Sequence, residues 1–177
     1  MTALPSKTLV LAASSYDRQL AQLAALGIIL SIVDASFPSP LPGVKPGLAN
    51  LATLLALEQL GWWAAVNVML LRVLAASLLL GSLLTPGFWL SLSGAVCSLC
   101  VLGLARHLPS RWFGLMSLSQ LSALGHIAGQ ILVARVWLLP SAGILYFVPV
   151  LAASAWLTGM LNGVIAQRLL RKQSSLC

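Results

Sequence analysis

Long apolar runs, broken by short clusters of Pro, Gly and charge, dominate the pattern along this chain. A bilayer core about 30 Å thick needs about 20 apolar residues per spanning helix. Six runs bounded by such breaks approach that length: Leu20–Phe37, Gly47–Gly61, Ala64–Leu84, Gly87–Ala105, Trp112–Arg135 and Ser141–Gln167. The second is short, so it must tilt little or be completed by neighbouring protein. The breaks are "PSPLPGVKP", "GWW", "TPG", "RHLPSR" and "VWLLP", all short except the first. Tight connections make sequence neighbours antiparallel partners in one bundle. The expected fold is an all-α integral membrane protein, with a six-helix transmembrane domain over residues 20–167. A cytoplasmic or interfacial segment, 1–19, precedes it, and a basic cytoplasmic tail, 168–177, follows.

Composition excludes an ordinary soluble domain. Of the 177 residues, 59% are hydrophobic and 7% charged, whereas soluble domains carry about 25% charged residues. The net charge of +7 is spread singly between apolar runs, with no basic patch to suggest nucleic acid. The anionic lipid surface of the bilayer is the partner this pattern implies. Lys7 is followed only by the short run "TLVLAA", without the features of a cleaved signal peptide. With the N-terminus inside, the cytoplasmic segments hold Lys7, Arg18, Arg106, Arg111, Arg168, Arg171 and Lys172. The outer side then holds only Lys45 and Arg135, so both termini are expected in the cytoplasm and the proline-rich break outside. Cys97 and Cys100 lie one helical turn apart in an apolar run, where cysteine packs as a small hydrophobe.

With depth assigned, the few intramembrane polar residues fall into order. Asp34, Asn50, Ser91 and Ser93 lie near outer helix ends, with Tyr146 in the outer part of the sixth helix. Ser122, His126 and Gln130, spaced i, i+4, i+8, form one stripe. Together they outline an outward-opening pocket roofed by the proline-rich loop. An ionisable group inside a membrane costs about 2.5–3.5 kcal/mol on insertion scales, which favours a functional reading. Structural alternatives stand beside it: Asp34 solvated at the interface, Arg72 paired with Glu58, and His126 in an interhelical hydrogen bond. Small residues four apart, Ala21/Ala25, Gly125/Gly129 and Gly159/Gly163, let helices approach closely.

Enzymatic chemistry has little material. Two aspartates and one glutamate cannot form an aspartate-rich cluster for magnesium and a diphosphate. Neither a phosphate-binding G-x-x-x-x-G-K-[ST] loop nor a G-x-S-x-G elbow occurs. His107 and His126 lack the companions of a metal site. The expectation is a non-enzyme with no cofactor and no metal, and no ATP hydrolysis of its own.

The stretches "DASFPSPLPGVKPGLANLATLLAL", "LLRVLAASLLLGSLL", "FWLSLSGAVCSL" and "LSALGHIAGQILVA" together resemble a small membrane family known both as heptaprenyl diphosphate synthase component I and as Gx transporter. The loop motif, P-G-V-K-x-G-L-A-N, is specific, whereas the helix motifs are individually weak. The likeness runs from about Leu20 to Lys172. That family in turn resembles the S-components of energy-coupling factor (ECF) transporters, six-helix proteins of bacterial plasma membranes that capture small molecules from outside. In those, the loop between the first two helices closes over the site, and separate ATPases act through a transmembrane coupling protein. The resemblance implies uptake of a small molecule, with Asp34, Lys45, Asn50, His126 and Gln130 as candidate contacts and Arg72 a weaker one. Lys45 would be a cation on the lid, and Asn50 would cap the second helix or bond ligand. Ala21 and Ala25 would form the coupling face. Pro46 departs from the usual motif and restricts the loop, since proline fixes φ. Two other readings remain: a non-catalytic accessory subunit of a quinone, prenyl-lipid or flavin-linked assembly, and a proton-coupled carrier using Asp34 or His126.

Overall fold

The computed structural model describes residues 14–37, 45, 47–107, 114–138 and 142–175, all helix and short turns without a strand. Six α-helices follow in order: α1 Ser15–Ser36, α2 Asn50–Leu60, α3 Trp62–Leu79, α4 Pro86–Ala105, α5 Leu115–Val133 and α6 Val148–Ser174. Caps and turns, more than hydropathy, set their ends. The first helix starts ahead of its apolar run because Ser14 Oγ accepts from Asp17 N (3.1 Å) while Asp17 Oδ2 accepts from Ser14 N (3.0 Å), a reciprocal capping box. Pro86, after the N-cap Thr85, opens α4, where a missing N–H costs nothing. A π-helical turn, Ala134–Leu138, extends α5, and a 3-10 turn, Ala142–Phe147, leads into α6. The last helix continues through Arg168, Arg171 and Lys172, so much of the expected tail is helical.

Between α2 and α3 only Gly61 intervenes, at φ +92°, a conformation open to glycine and strained for residues with a Cβ. Its N–H closes α2 on Ala56 O and Leu57 O, so the two helices fold back on each other directly. α2 also packs against α1, α4, α5 and α6, while the chain of contacts α1 to α3 to α4 to α5 to α6 forms a wall around it. Every residue from Asn50 to Ala56 is buried.

Among the described residues, five helical segments are long and apolar enough to cross a membrane: Ser15–Ser36, Trp62–Leu79, Pro86–Ala105, Leu115–Leu138 and Gly143–Lys172. α2 differs from the six-span expectation. Its 11 residues reach about 16 Å, roughly half the hydrocarbon core. The residues from Gly47 to Ala49 are used in a turn instead of extending the helix. Protein, in place of lipid, covers this half-length helix, which satisfies its ends inside the bundle.

The outer wall carries exposed leucines and valines, among them Leu78, Leu79, Leu104, Leu132 and Val136, a surface suited to acyl chains. The two glycine pairs serve internal packing. A Cβ at Gly129 would lie 2.6 Å from Ser93 O and 2.8 Å from Cys97 Sγ on α4, and one at Gly159 would lie 2.9 Å from Gln120 Cα on α5. Hydroxyls join the same seams: Ser98 and Ser122 lie 2.6 Å apart, and Ser119 Oγ donates to Gly159 O at 2.7 Å. Cys97 is half-buried and Cys100 exposed, both as free thiols.

Candidate functional site

Helix pairing places the start of α2 deep in the bundle. Asn50, its first residue, meets Arg72, which stands ten residues into α3. At 1.5 Å per residue that is about 15 Å from the Gly61 turn. The chain leading into α2 must therefore descend among the helices, and its backbone groups need partners there. Gln130 Oε1 on α5 accepts from Lys45 N (3.0 Å), and Asn162 Nδ2 on α6 donates to Gly47 O (3.2 Å). Asp34 Oδ2, at the end of α1, accepts from Ala49 N at 3.2 Å. Ala49 occupies the N-cap position of α2 but has no side chain able to cap it. The carboxylate of Asp34, from a different helix, instead satisfies the N–H of the N-cap residue itself, and its negative charge suits the positive end of the helix dipole.

Arg72 is ordered by α2. Its Nη2 donates to Asn50 Oδ1 (2.8 Å) and its Nε to Thr53 Oγ1 (3.3 Å). Asn50 thus orients the guanidinium and does not cap its own helix. The pairing with Glu58 weighed from the sequence does not form: Glu58 is exposed, and no ion pair joins it to Arg72 among the described residues. In the antiparallel α2–α3 hairpin Arg72 sits opposite Asn50, and Glu58 lies eight residues, about 12 Å, further along α2.

Gln130 links the Lys45 backbone to His126. With Oε1 committed to the Lys45 amide, its Nε2 faces His126 Nε2 at 2.9 Å. An amide nitrogen can only donate, so that ring nitrogen accepts and the proton of the neutral ring resides on Nδ1. That nitrogen has no hydrogen-bond partner among the described residues.

Asp34, Lys45, Arg72 and His126 line one cavity of about 30 Å³, together with Ser31, Ser77 and Ser91. That volume suits about two waters. Asp34, Arg72 and His126 are 3%, 4% and 4% exposed, and Gln130 is wholly buried. Asp34 Oδ1, Asn50 Nδ2 and His126 Nδ1 lack hydrogen-bond partners among the described residues, an uncommon state for buried polar atoms. Burial pushes the Lys45 ammonium below the usual lysine range, against the opposing pull of the Asp34 carboxylate.

The six candidate residues therefore divide by position. Four line the cavity, while Asn50 and Gln130 stand behind it, holding Arg72 in one case and the Lys45 amide and His126 in the other. Three sequence candidates for the pocket lie elsewhere: Ser122 pairs with Ser98, Ser93 Oγ donates to Leu90 O, and Tyr146 is 85% exposed. Thr53 and Asn162 were missed. Thr53 stands one turn after Asn50, and Asn162 interrupts the "GMLNG" packing motif, which masked its bond to Gly47 O. Pro46 and residues 38–44 of the proline-rich stretch lie outside the described residues, as do Arg111 and Lys7. Ala21 and Ala25 are exposed on α1. Near them Gln19, Gln22, Gln59 and Lys172 border a cleft of about 330 Å³ between α1, α2 and α6. A groove of about 620 Å³ between α4 and α5, lined by Trp89, Leu92, Val96, Leu132 and Trp137, carries no charged side chain. Among the described residues no three His, Cys, Asp or Glu side chains gather as metal ligands.

A family model described as heptaprenyl diphosphate synthase component I matches residues 23–169, a span that holds every cavity residue named above. No curated protein and no solved structure matches the chain.

Proposed function

The chain belongs to the heptaprenyl diphosphate synthase component I family, and we propose that it is a membrane protein binding a small molecule from the extracytoplasmic side for uptake, as S-components do. A separate ATPase module would supply the energy. One observation carries the reading: a charged, buried cavity sits at the N-terminus of a half-length helix, beneath a non-helical segment pinned by side chains. Discontinuous helices whose ends meet a buried polar site are a recurrent way of building substrate sites in transporters. A wholly structural polar cluster would leave fewer buried atoms unpartnered than Asp34 Oδ1 and His126 Nδ1 imply.

In this reading both termini face the cytoplasm of a bacterial cell, as the distribution of Lys and Arg favours, and the Lys45 segment faces outward. In this reading, opening parts the Lys45–Gln130 and Gly47–Asn162 hydrogen bonds. The ligand then exchanges for water and meets Asp34, Lys45, Arg72 and His126. Closure restores the two bonds and shields it from solvent. Ala21 and Ala25, exposed beside the cleft at the opposite end, offer a close-approach face for a transmembrane coupling protein. The chain itself acts without catalysis.

Native mass spectrometry of the full-length protein, extracted with its own lipid, tests the reading. A small molecule should be retained by the wild type and lost from the His126→Ala, Asn50→Ala double variant. Equal retention by both would remove the site assignment.

The family's description favours a second reading, a non-catalytic accessory subunit beside an enzyme of prenyl-lipid, quinone or flavin chemistry. The α4–α5 groove, about 620 Å³ and lined by apolar side chains such as Trp89, Leu132 and Trp137, suits a prenyl chain. That reading predicts stable co-purification with such an enzyme and no saturable small ligand.

A further inference from the structure

We infer that the occupant of the Asp34–Arg72 cavity is a compact oxygen monoanion that also carries an O–H group, the chemistry shared by a short hydroxycarboxylate and dihydrogen phosphate. This rests on the reading of the cavity as a ligand site. The charged side chains lining it are Lys45 and Arg72 against Asp34, which leaves one positive charge in surplus; a protonated His126 would only enlarge it. Buried charge without a partner is costly in a low-dielectric interior. The N-terminus of α2 adds a partial positive charge of about one half at the same depth. The only carboxylate is already engaged there through Oδ2 on Ala49 N. A neutral, cationic or zwitterionic occupant leaves the surplus in place, whereas a monoanion cancels it.

The O–H follows from the other oxygen of Asp34. Oδ1 is buried and unpartnered, and as an ionised carboxylate oxygen it can only accept. An anion lacking a donor would bring its oxygens toward this one with nothing to bridge them. One that carries a hydroxyl can donate it to Asp34 while its charged oxygens meet Arg72 and Lys45. Size gives the third constraint. About 30 Å³ suits a group of a few heavy atoms, so the closed site takes either a very small ligand or the head of a larger one.

The test uses the full chain in lipid nanodiscs at pH 6, with binding read from tryptophan fluorescence and the thermal midpoint. Glycolate and dihydrogen phosphate are the probes, and they distinguish the carboxylate from the phosphate source. Acetate, ethylene glycol and ethanolamine are the controls for the missing hydroxyl, missing charge and reversed charge. Glycolate or phosphate should bind at least about tenfold more tightly than acetate, and the last two controls should not bind. Lys45→Gln, whose backbone bond to Gln130 does not need the side chain, should unfold at the wild-type temperature and bind the preferred anion about tenfold more weakly. Ethanolamine or ethylene glycol binding as tightly as the anions, no anion binding, or an unchanged affinity in Lys45→Gln would each overturn the inference. A neutral or cationic molecule retained from the native membrane would overturn the monoanion and leave the binding reading intact. Absence of any retained molecule, with no probe binding, would overturn both.

Discussion

Asp34→Ala tests the central structural claim, that a carboxylate on α1 caps the half-length α2. The substitution removes a charge-assisted hydrogen bond to Ala49 N, a class worth about 1.5–3 kcal/mol. It also removes the favourable contact with the helix dipole, about 0.3–2 kcal/mol. The relieved burial of the carboxylate offsets part of this, while Lys45 and Arg72 lose their compensating charge. A net destabilisation of about 2–4 kcal/mol follows, in line with the cost of removing one partner from a buried charge cluster. Asp34→Asn keeps an oxygen for the Ala49 N–H and loses only the charge, so about 1–2 kcal/mol is expected. Thermal unfolding followed by tryptophan fluorescence gives the global loss, and hydrogen exchange at Leu48 to Leu51 gives the local one. A local loss of 2 kcal/mol speeds exchange roughly 30-fold. Unchanged exchange at Ala49 in Asp34→Ala would refute the cap, as would an asparagine variant less stable than the alanine one.

Gly129→Ala should destabilise by about 1–3 kcal/mol through overpacking, because the new methyl meets the Ser93 carbonyl at 2.6 Å; thermal unfolding reads it. Gln130→Leu should cost about 1–3 kcal/mol by leaving the Lys45 amide and His126 Nε2 unpartnered. Faster exchange at the Lys45 amide, with α3 and α6 still protected, would identify the loss as local to the lid. Glu58→Gln should stay within about 0.5 kcal/mol of wild type, because Glu58 is exposed and Arg72 bonds instead to Asn50 and Thr53. A large loss in that variant would revive the Glu58–Arg72 pair.

Much of the candidate site was legible before any coordinates. Ser122, His126 and Gln130 share a helix face by spacing alone, and all three are buried, because a polar stripe on a membrane helix avoids lipid. The structure distributes them among different tasks, since what each side chain meets depends on the neighbouring helix. Ser122 finds Ser98, while Gln130 finds the Lys45 amide and His126 shares a cavity with Lys45. Tyr146 went astray because height along a helix says nothing about which face points inward. Asn162 was hidden because an asparagine between two glycines reads as packing until Gly47, 115 residues away in sequence, appears beside it.

The sequence by itself determined the class of solvent and the helical inventory. Its apolar runs are too long, and its charges too few, for any fold that leaves backbone amides facing lipid. It also marked the handful of polar residues that such a chain cannot carry without reason. Only the tertiary structure decided that Lys45 and the turn from Gly47 to Ala49 sit among the helices and that α2 is half a helix. Asp34 acquires a capping role there, 15 residues from the amide it holds. These are matters of which helices touch and at what register. Hydropathy reports burial along one dimension, whereas hydrogen-bond satisfaction and charge balance at the cavity arise from groups brought together across five helices.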